Sequence, residues 1–260
     1  MTAGKHLAAM LAAIGIFAAS IATVPAHAAT VNALGFSSGG LTCSFFPCTA
    51  SVPIGGGNLA ATTPAGYQAI GFNSFMVHDF AGGDPAGPST FTASNLPAHS
   101  SLNLSFLLAI IDSWDGSTTA GGSVPPDVFN ITVDGVSVYA HTYDNFLTSD
   151  QSASTANQMS FGSNLGFSPG WNDSAYDFTG SNALLNIPHS ASSVIVEFFA
   201  SGSGWQGGTI DGGDESFGLD RILISINTTN DIPEPGSLAL LGIAFAGLAA
   251  RGRWSASANR

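Results

Sequence analysis

The chain has 260 residues, of which 45% are hydrophobic and 8% are charged, and its formal net charge at pH 7 is −12. All 17 acidic residues lie between Asp79 and Glu234, whereas Arg221 is the only Lys or Arg between residues 29 and 231. A nucleic-acid-binding protein is excluded because too few basic groups are available to neutralise phosphates, and the apolar content is too high for a disordered chain.

Residues 1–28 have the composition of a secretory signal peptide. Lys5 precedes an apolar run from Leu7 to Ile21, and Ala26-His27-Ala28 fits the small-x-small rule for signal peptidase. We therefore expect the mature chain to begin at Ala29, outside the cytoplasm; an uncleaved anchor is the alternative.

The cysteines, Cys43 and Cys48, enclose a short loop. In an exported protein we expect a disulfide between them, and it would stabilise only the local turn because the loop is so short. A metal site would need more ligands than two thiols without an adjacent histidine.

Residues 29–226 suit one domain of sandwich or barrel size and contain recurring strand patterns. The strongest runs from Leu102 to Ile110, where apolar residues occupy every second position. Asp134-Gly135 lies between the β-rich runs 128–133 and 136–143 and predicts a hairpin, because a type I′ turn needs positive φ at both central positions. Further strands are predicted at Tyr67–Ile70, Asn73–His78, Ser193–Ala200 and Leu219–Ile226.

The segments between these strands are rich in Gly, Pro, Ser and Asn, and the body has no pattern of an amphipathic helix. Residues 144–192 are interpreted as one large polar loop excursion, and residues 227–231 as a short linker. The fold is therefore predicted to be all-β, an antiparallel β-sandwich of the jelly-roll type.

Three motifs typical of enzymes are set aside because of their context. Residues 35–39 and 166–170 match Gly-x-Ser-x-Gly, but neither lies between a strand and a helix as a nucleophile elbow must. Residues 202–207 match a dinucleotide fingerprint, yet the glycine-rich residues after them cannot form the helix that would hold a pyrophosphate. The four body histidines are isolated in the sequence, which argues against zinc.

Acidic residues gather at the ends of predicted strands. Asp112 and Asp115 follow the strongest strand, and Asp127 precedes the hairpin. The group before the last strand comprises Asp211, Asp214, Glu215 and Asp220. Hard oxygen ligands on loops, with no basic residues to pair them, are what calcium requires; the alternative is a solvated acidic rim.

Three body segments, 112–116, 126–135 and 213–220, resemble the corresponding segments of exported bacterial jelly-roll modules related to lectins and carbohydrate-binding domains. In such modules the Asp before the last strand commonly binds a structural calcium. The resemblance implies this role for Asp220, with Asp112 or Asp115 as co-ligands.

The C-terminal segment 232–260 combines Pro233-Glu234-Pro235, an apolar run from Leu238 to Ala250, and a basic end with Arg251 and Arg253. A helix over about residues 236–250 would rise roughly 22 Å, short of the ~30 Å hydrocarbon core, so it would span only with snorkelling or bilayer thinning. The arginines would hold that end in the cytoplasm. A buried core helix is the alternative.

This tail resembles the PEP-CTERM signal of exported Gram-negative proteins, which an exosortase-type membrane transpeptidase cuts near Pro-Glu-Pro. The resemblance implies sorting through Pro233, Glu234, Pro235, Arg251 and Arg253, with the C-terminal helix as a transient membrane anchor. It also implies an inner-membrane-anchored precursor whose body is delivered to the cell surface or extracellular matrix.

Two hypotheses about function follow. The first is a non-catalytic surface or biofilm-matrix protein, a calcium-stabilised sandwich that contacts exopolysaccharide. The second is a secreted glycoside hydrolase, which needs two facing carboxylates, with Glu197 and Glu215 among the candidates. Trp114, Trp171 and Trp205 are interpreted as either sugar platforms or core residues.

Overall fold

The computed structural model describes residues 29–116, 125–208 and 214–229, and within them fourteen strands form two antiparallel sheets. The predicted all-β sandwich is confirmed, while the predicted signal peptide and C-terminal helix lie outside the described residues. The larger sheet contains β1 (Thr30–Ser37), β2 (Gly40–Cys43), β4 (Gly57–Thr62), β5 (Phe75–Asp79), β7 (His99–Ile111), β10 (Gln158–Ser163), β11 (Asp173–Phe178), β12 (Leu184–Pro188) and β14 (Ser216–Thr228). The smaller sheet contains β3 (Cys48–Ser51), β6 (Ser89–Ser94), β8 (Val128–Val133), β9 (Val136–Thr142) and β13 (Ser193–Ser201).

The long strands β7 and β14 form the centre of the larger sheet, whose order is β10-β11-β7-β14-β1-β2. The strand β12 also pairs with β7, and β5 pairs with β14 and β4. The smaller sheet has the order β3-β6-β13-β8-β9. Because Ile111 pairs with Ser216, the loop after β7 and the loop before β14 emerge side by side at one end of the sandwich.

The core between the sheets is formed by side chains at alternate strand positions, as the period of two predicts. In β7 the apolar residues at every second position from Leu102 to Ile110 are all buried. Leu107 and Ile111 point to the opposite face and are buried as well, because Tyr67 and Leu165 cover that face in a second apolar cluster. The larger sheet is therefore apolar on both faces near the end of β7.

The prediction of a strand at Tyr67–Ile70 is wrong: the helix α1 (Ala65–Ala69) lies there. Its Tyr67 is fully buried, and the hydroxyl donates to the carbonyl oxygens of Ile110 and Ser174, both at 3.3 Å. A short apolar run fits a strand or a buried helical turn equally well, and here packing on the outer face of the sheet decides for the helix.

The interpretation of residues 144–192 as one loop excursion is also wrong, because β10, β11 and β12 lie within them. The strand β11 is rich in small and polar residues and lacks an apolar alternation, yet it pairs with β7 from Ser174–Ile110 to Phe178–Phe106. Pairing with a distant strand, rather than its own composition, makes this segment extended. At the C-terminal end of the body, β14 continues to Thr228, two residues into the segment predicted as a linker.

Two local predictions agree with the described structure. Asp134 and Gly135 have φ values of 50° and 76° and connect β8 to β9 as a two-residue turn. Cys43 and Cys48 are joined by a disulfide between the end of β2 and the start of β3, so the bridge closes a crossing from one sheet to the other. Among the described residues, no helix has the length and apolar character needed to cross a membrane.

Candidate functional site

Acidic side chains from three loops meet at the end of the sandwich where β7 ends and β14 begins. Asp115 follows β7, Asp127 precedes β8, and Glu215 precedes β14. One carboxylate oxygen from each of these residues lies within 4.8 Å of the other two. We refer to Asp115, Asp127 and Glu215 as the carboxylate triad; Asp127 and Glu215 are buried, and Asp115 is half-buried.

Hydrogen bonds from the surrounding loops orient the carboxylate triad. The Asp115 amide donates to Asp127 Oδ2 at 2.7 Å, and the Asp127 amide donates to the Asp115 carbonyl oxygen at 2.9 Å. Ser113 Oγ donates to Glu215 Oε1 at 3.2 Å, and the backbone amide of Gln206 donates to Glu215 Oε2 at 3.3 Å. Two of the three carboxylates are thus held by fixed donors, as is typical of residues that ligate an ion.

A tryptophan pair packs below the site. Trp114 is fully buried and Trp205 is 6% exposed, and their ring centroids are 5.0 Å apart in an edge-to-face arrangement. Trp114 Nε1 donates to the Ser216 carbonyl oxygen at 2.7 Å, which anchors the start of β14. Both tryptophans are core residues.

The third tryptophan is a surface residue. Trp171 is 44% exposed, and its ring lies 6.4 Å from that of Phe146, which is 48% exposed. The two planes are 83° apart, so they do not form a coplanar platform for sugar rings.

The carboxyl groups at this end have raised pKa values, which favour their protonated, neutral form. Burial, followed by repulsion from neighbouring carboxylates, raises the pKa of Asp112 and of Asp127 to about 7. Burial, a hydrogen bond to the Asp214 carboxylate that favours the protonated form, and repulsion raise the pKa of Glu215 to about 8. Burial also raises the pKa of Asp115. The charged neighbours that raise these pKa values are themselves acids, so the carboxylates here repel one another.

Some of these buried oxygens have no hydrogen-bond partner. Asp112 and Asp127 are fully buried. Both carboxylate oxygens of Asp112 and the Oδ1 atom of Asp127 have no hydrogen-bond partner. An ionised carboxylate in that position is costly unless a cation or donor satisfies it. The Asn145 side-chain oxygen is buried and unpaired as well, while its amide donates to the Asp112 carbonyl oxygen at 2.6 Å.

The structure separates the three residues that were predicted to bind calcium. Asp115 belongs to the carboxylate triad, and Asp112 lies at the same end of the sandwich but outside the triad. Asp220 lies within β14, where its carboxylate accepts from the backbone amide of Asn73 at 2.6 Å and from the backbone amide of Arg221 at 2.7 Å. Asp220 therefore fixes the loop before β5 and does not join the group.

Sequence reasoning named Asp127 and Glu215 as acids at strand ends but did not assign them as ligands. The signal that identifies them is the pairing of β7 with β14, because it brings Glu215 beside the loop that carries Asp115. Asp211, from the same predicted acidic group, lies outside the described residues.

Two histidines that are far apart in the sequence meet at the opposite end of the sandwich. His99 Nε2 lies 2.7 Å from His189 Nδ1, and His189 Nε2 lies 2.9 Å from Asp134 Oδ2. His99 Nδ1 is 2.6 Å from the Pro97 carbonyl oxygen. This chain of hydrogen bonds ties the start of β7 and the residue after β12 to the β8–β9 turn.

Comparison with protein families gives a match in the tail. Residues 231–253 match the model of the PEP-CTERM protein-sorting motif. The chain carries a PEP-CTERM sorting signal. Such a signal indicates an exported protein whose membrane-anchored precursor is processed by an exosortase. Pro233, Glu234, Pro235, Arg251 and Arg253 all lie within the matched residues and outside those that the structure describes.

No curated protein matches the chain. Among solved structures, the chain is similar to a Paenibacillus sp. cycloisomaltooligosaccharide glucanotransferase complexed with cycloisomaltoheptaose, at 12% identity and a TM-score of 0.28. The match covers 76% of this chain and 18% of that one. A likeness at that TM-score carries no argument about ligand or chemistry.

Proposed function

We propose that the protein is a non-catalytic component of the cell surface or extracellular matrix of a Gram-negative bacterium, and that its sandwich contacts exopolysaccharide. The observation that carries the proposal is the PEP-CTERM signal at residues 231–253, directly after the last strand ends at Thr228. The whole described sandwich precedes the signal, so it is the part that sorting would deliver.

The position of the acids supports a non-catalytic role. A groove of about 820 Å³ opens between residues 53–57, 80–82 and 206–208, and its lining consists mainly of glycines with Phe80, Ile54 and Gln206. None of the lining residues within the described ranges is an acid. A glycoside hydrolase places two carboxylates at the cleft that holds the sugar, and this groove offers backbone groups and apolar surface instead.

The groove is the proposed contact surface for a neutral polysaccharide. Its glycines expose peptide groups that can hydrogen-bond sugar hydroxyls, and the Phe80 ring supplies an apolar surface. An anionic polysaccharide is disfavoured because the formal net charge of −12 would repel it.

A secreted glycoside hydrolase remains the second candidate. It is favoured by one observation, the proximity of Asp127 and Glu215, whose pKa values of about 7 and about 8 suit a general acid. Both residues are fully or almost fully buried, at 0% and 1% exposure, so a substrate would reach them only after the loops had opened. Glu197 lies in β13 of the smaller sheet, where its carboxylate accepts from Thr132 Oγ1 at 2.9 Å. None of the three triad residues lies in that strand.

A glycan array probed with the exported protein distinguishes the two candidates. We expect binding to neutral polysaccharides without release of reducing sugar, and we expect Phe80→Ala to lower that binding by about tenfold while Trp171→Ala leaves it unchanged. Hydrolysis of a bound glycan that is lost in Glu215→Gln would contradict the non-catalytic role. If Phe80→Ala binds polysaccharide as well as the unmodified protein does, the polysaccharide contacts a surface other than the groove.

A further inference from the structure

The geometry points to a site for a divalent cation of the calcium class, formed by Asp115, Asp127 and Glu215 at the end of the sandwich. This inference is independent of the proposed contact with polysaccharide. It also differs from the set that the jelly-roll resemblance implies, because Asp220 is replaced by Asp127 and Glu215.

Carboxylates from distant parts of the chain converge at the proposed site. The three carboxylates come from three separate loops, after β7, before β8 and before β14, and an oxygen of each lies within 4.8 Å of the others. Like charges at such distances repel strongly unless something between them is positive. An ion that binds one oxygen from each carboxylate would connect all three loops.

An unsatisfied buried oxygen is the second and independent argument. Asp127 is fully buried, its Oδ2 accepts from the Asp115 amide, and its Oδ1 has no hydrogen-bond partner. Buried polar groups in folded proteins are almost always paired. One oxygen of this carboxylate is therefore oriented by the protein, and the other is left for a ligand.

The available positive charge is the third argument. Arg221 is the only Lys or Arg in the part of the chain that the structure describes, and it lies exposed on β14, one residue after Asp220. The described part of the chain thus offers no ammonium group, and its one guanidinium group lies on β14, outside the carboxylate triad. A bound ion would supply that charge.

The chemistry of the ligands selects the class of ion. All three side chains offer only oxygen, and together they can supply up to six carboxylate oxygens. Calcium takes six to eight oxygens in flexible geometry, whereas zinc prefers nitrogen and sulfur, and magnesium requires a strict octahedron with several waters retained. The fixed donors Ser113 and Gln206 hold Glu215 while leaving further lone pairs on both of its oxygens.

The test is a calorimetric titration of the chelator-stripped mature protein with CaCl₂ at pH 8, with MgCl₂ and NaCl at matched ionic strength as comparisons. We expect saturable binding of one calcium ion per chain and a melting temperature that rises by several degrees at saturation. Asp127→Asn should weaken calcium binding by about tenfold or more, since it removes a direct ligand.

Asp134→Asn is the matched control, because it makes the same change in charge at the other end of β8 and should bind calcium like the unmodified protein. Asp127→Asn removes an unpaired buried charge, so in chelator it should be at least as stable as the unmodified protein, which separates loss of the site from failure to fold. Calcium binding that is unchanged in Asp127→Asn, or no binding by the unmodified protein, would overturn the assignment. Equal effects of sodium and calcium would do so too, and would mean simple screening of an acidic rim.

Discussion

In the presence of a chelator, the free energy of unfolding is expected to fall as the pH rises from about 5 to about 8. Burial raises the pKa of Asp79 and Asp173 to about 6, of Asp112 and Asp127 to about 7, and of Glu215 to about 8. Each group keeps its proton in the folded state at a pH where the unfolded chain has released it. Stability is therefore greatest at low pH and is lost as the pH rises through the folded-state pKa values.

Each of these acids contributes on the order of a few kcal/mol to the expected loss, because one unit of pKa shift corresponds to about 1.4 kcal/mol. His78 acts in the opposite direction: burial lowers its pKa to about 4, so its contribution is lost as the pH falls below the ordinary value of 6.5. A single histidine opposes five acids, and above about pH 6.5 it has no further effect, so the net slope stays negative.

Urea unfolding at pH 5.5, 7 and 8.5 in EDTA measures this dependence. Calcium should restore much of the stability at pH 8.5 and little at pH 5.5, where protons occupy the carboxylates. The variant Asp127→Asn should show a shallower decline in EDTA, because one of the titrating groups has been removed. Stability that is constant, or that rises with pH in chelator, would contradict the prediction.

The second large effect is expected for Trp114→Ala, which should lower the free energy of unfolding by about 3–5 kcal/mol. The Trp114 side chain is fully buried, and it packs edge-to-face against Trp205 and Tyr143. Its removal would leave a cavity at the end of the sandwich and an unpaired carbonyl oxygen at Ser216, which now accepts from Trp114 Nε1.

The control is Trp171→Ala, which removes the same side chain from a position that is 44% exposed. Its effect should stay within about 0.5 kcal/mol. Both variants are compared by denaturant unfolding at fixed pH and calcium concentration. Equal losses in the two variants would mean that Trp114 is not the anchor between the core and the start of β14.

The predictions from sequence succeeded where the signal is local. The alternation from Leu102 to Ile110 identified the central strand, and Asp134-Gly135 identified the hairpin, because each depends on a few neighbouring residues. The strand β11 was missed because its sequence is small and polar, and it becomes a strand only by pairing with β7. The helix α1 was missed because four residues are too few to distinguish the two periodicities.

The candidate site also combines local signals, which the sequence shows, with pairing between distant strands, which it does not. The sequence places Asp115, Asp127 and Glu215 at the ends of predicted strands, in loops that the fold brings together. It cannot show that Ile111 pairs with Ser216, and this register is what brings Glu215 beside Asp115. Asp220 was chosen by position before the last strand, yet β14 begins earlier, at Ser216, so Asp220 lies within the strand and bonds to Asn73.

The most direct test of sorting through the PEP-CTERM signal is the intact mass of the protein recovered from the cell surface of the native host. Cleavage near Pro-Glu-Pro should yield a chain that lacks Leu238 to Arg260, and changing Pro233, Glu234 and Pro235 together to Ala should leave the precursor in the membrane. Surface protein that retains the full C-terminus to Arg260, or unchanged release of the triple-alanine variant, would contradict it.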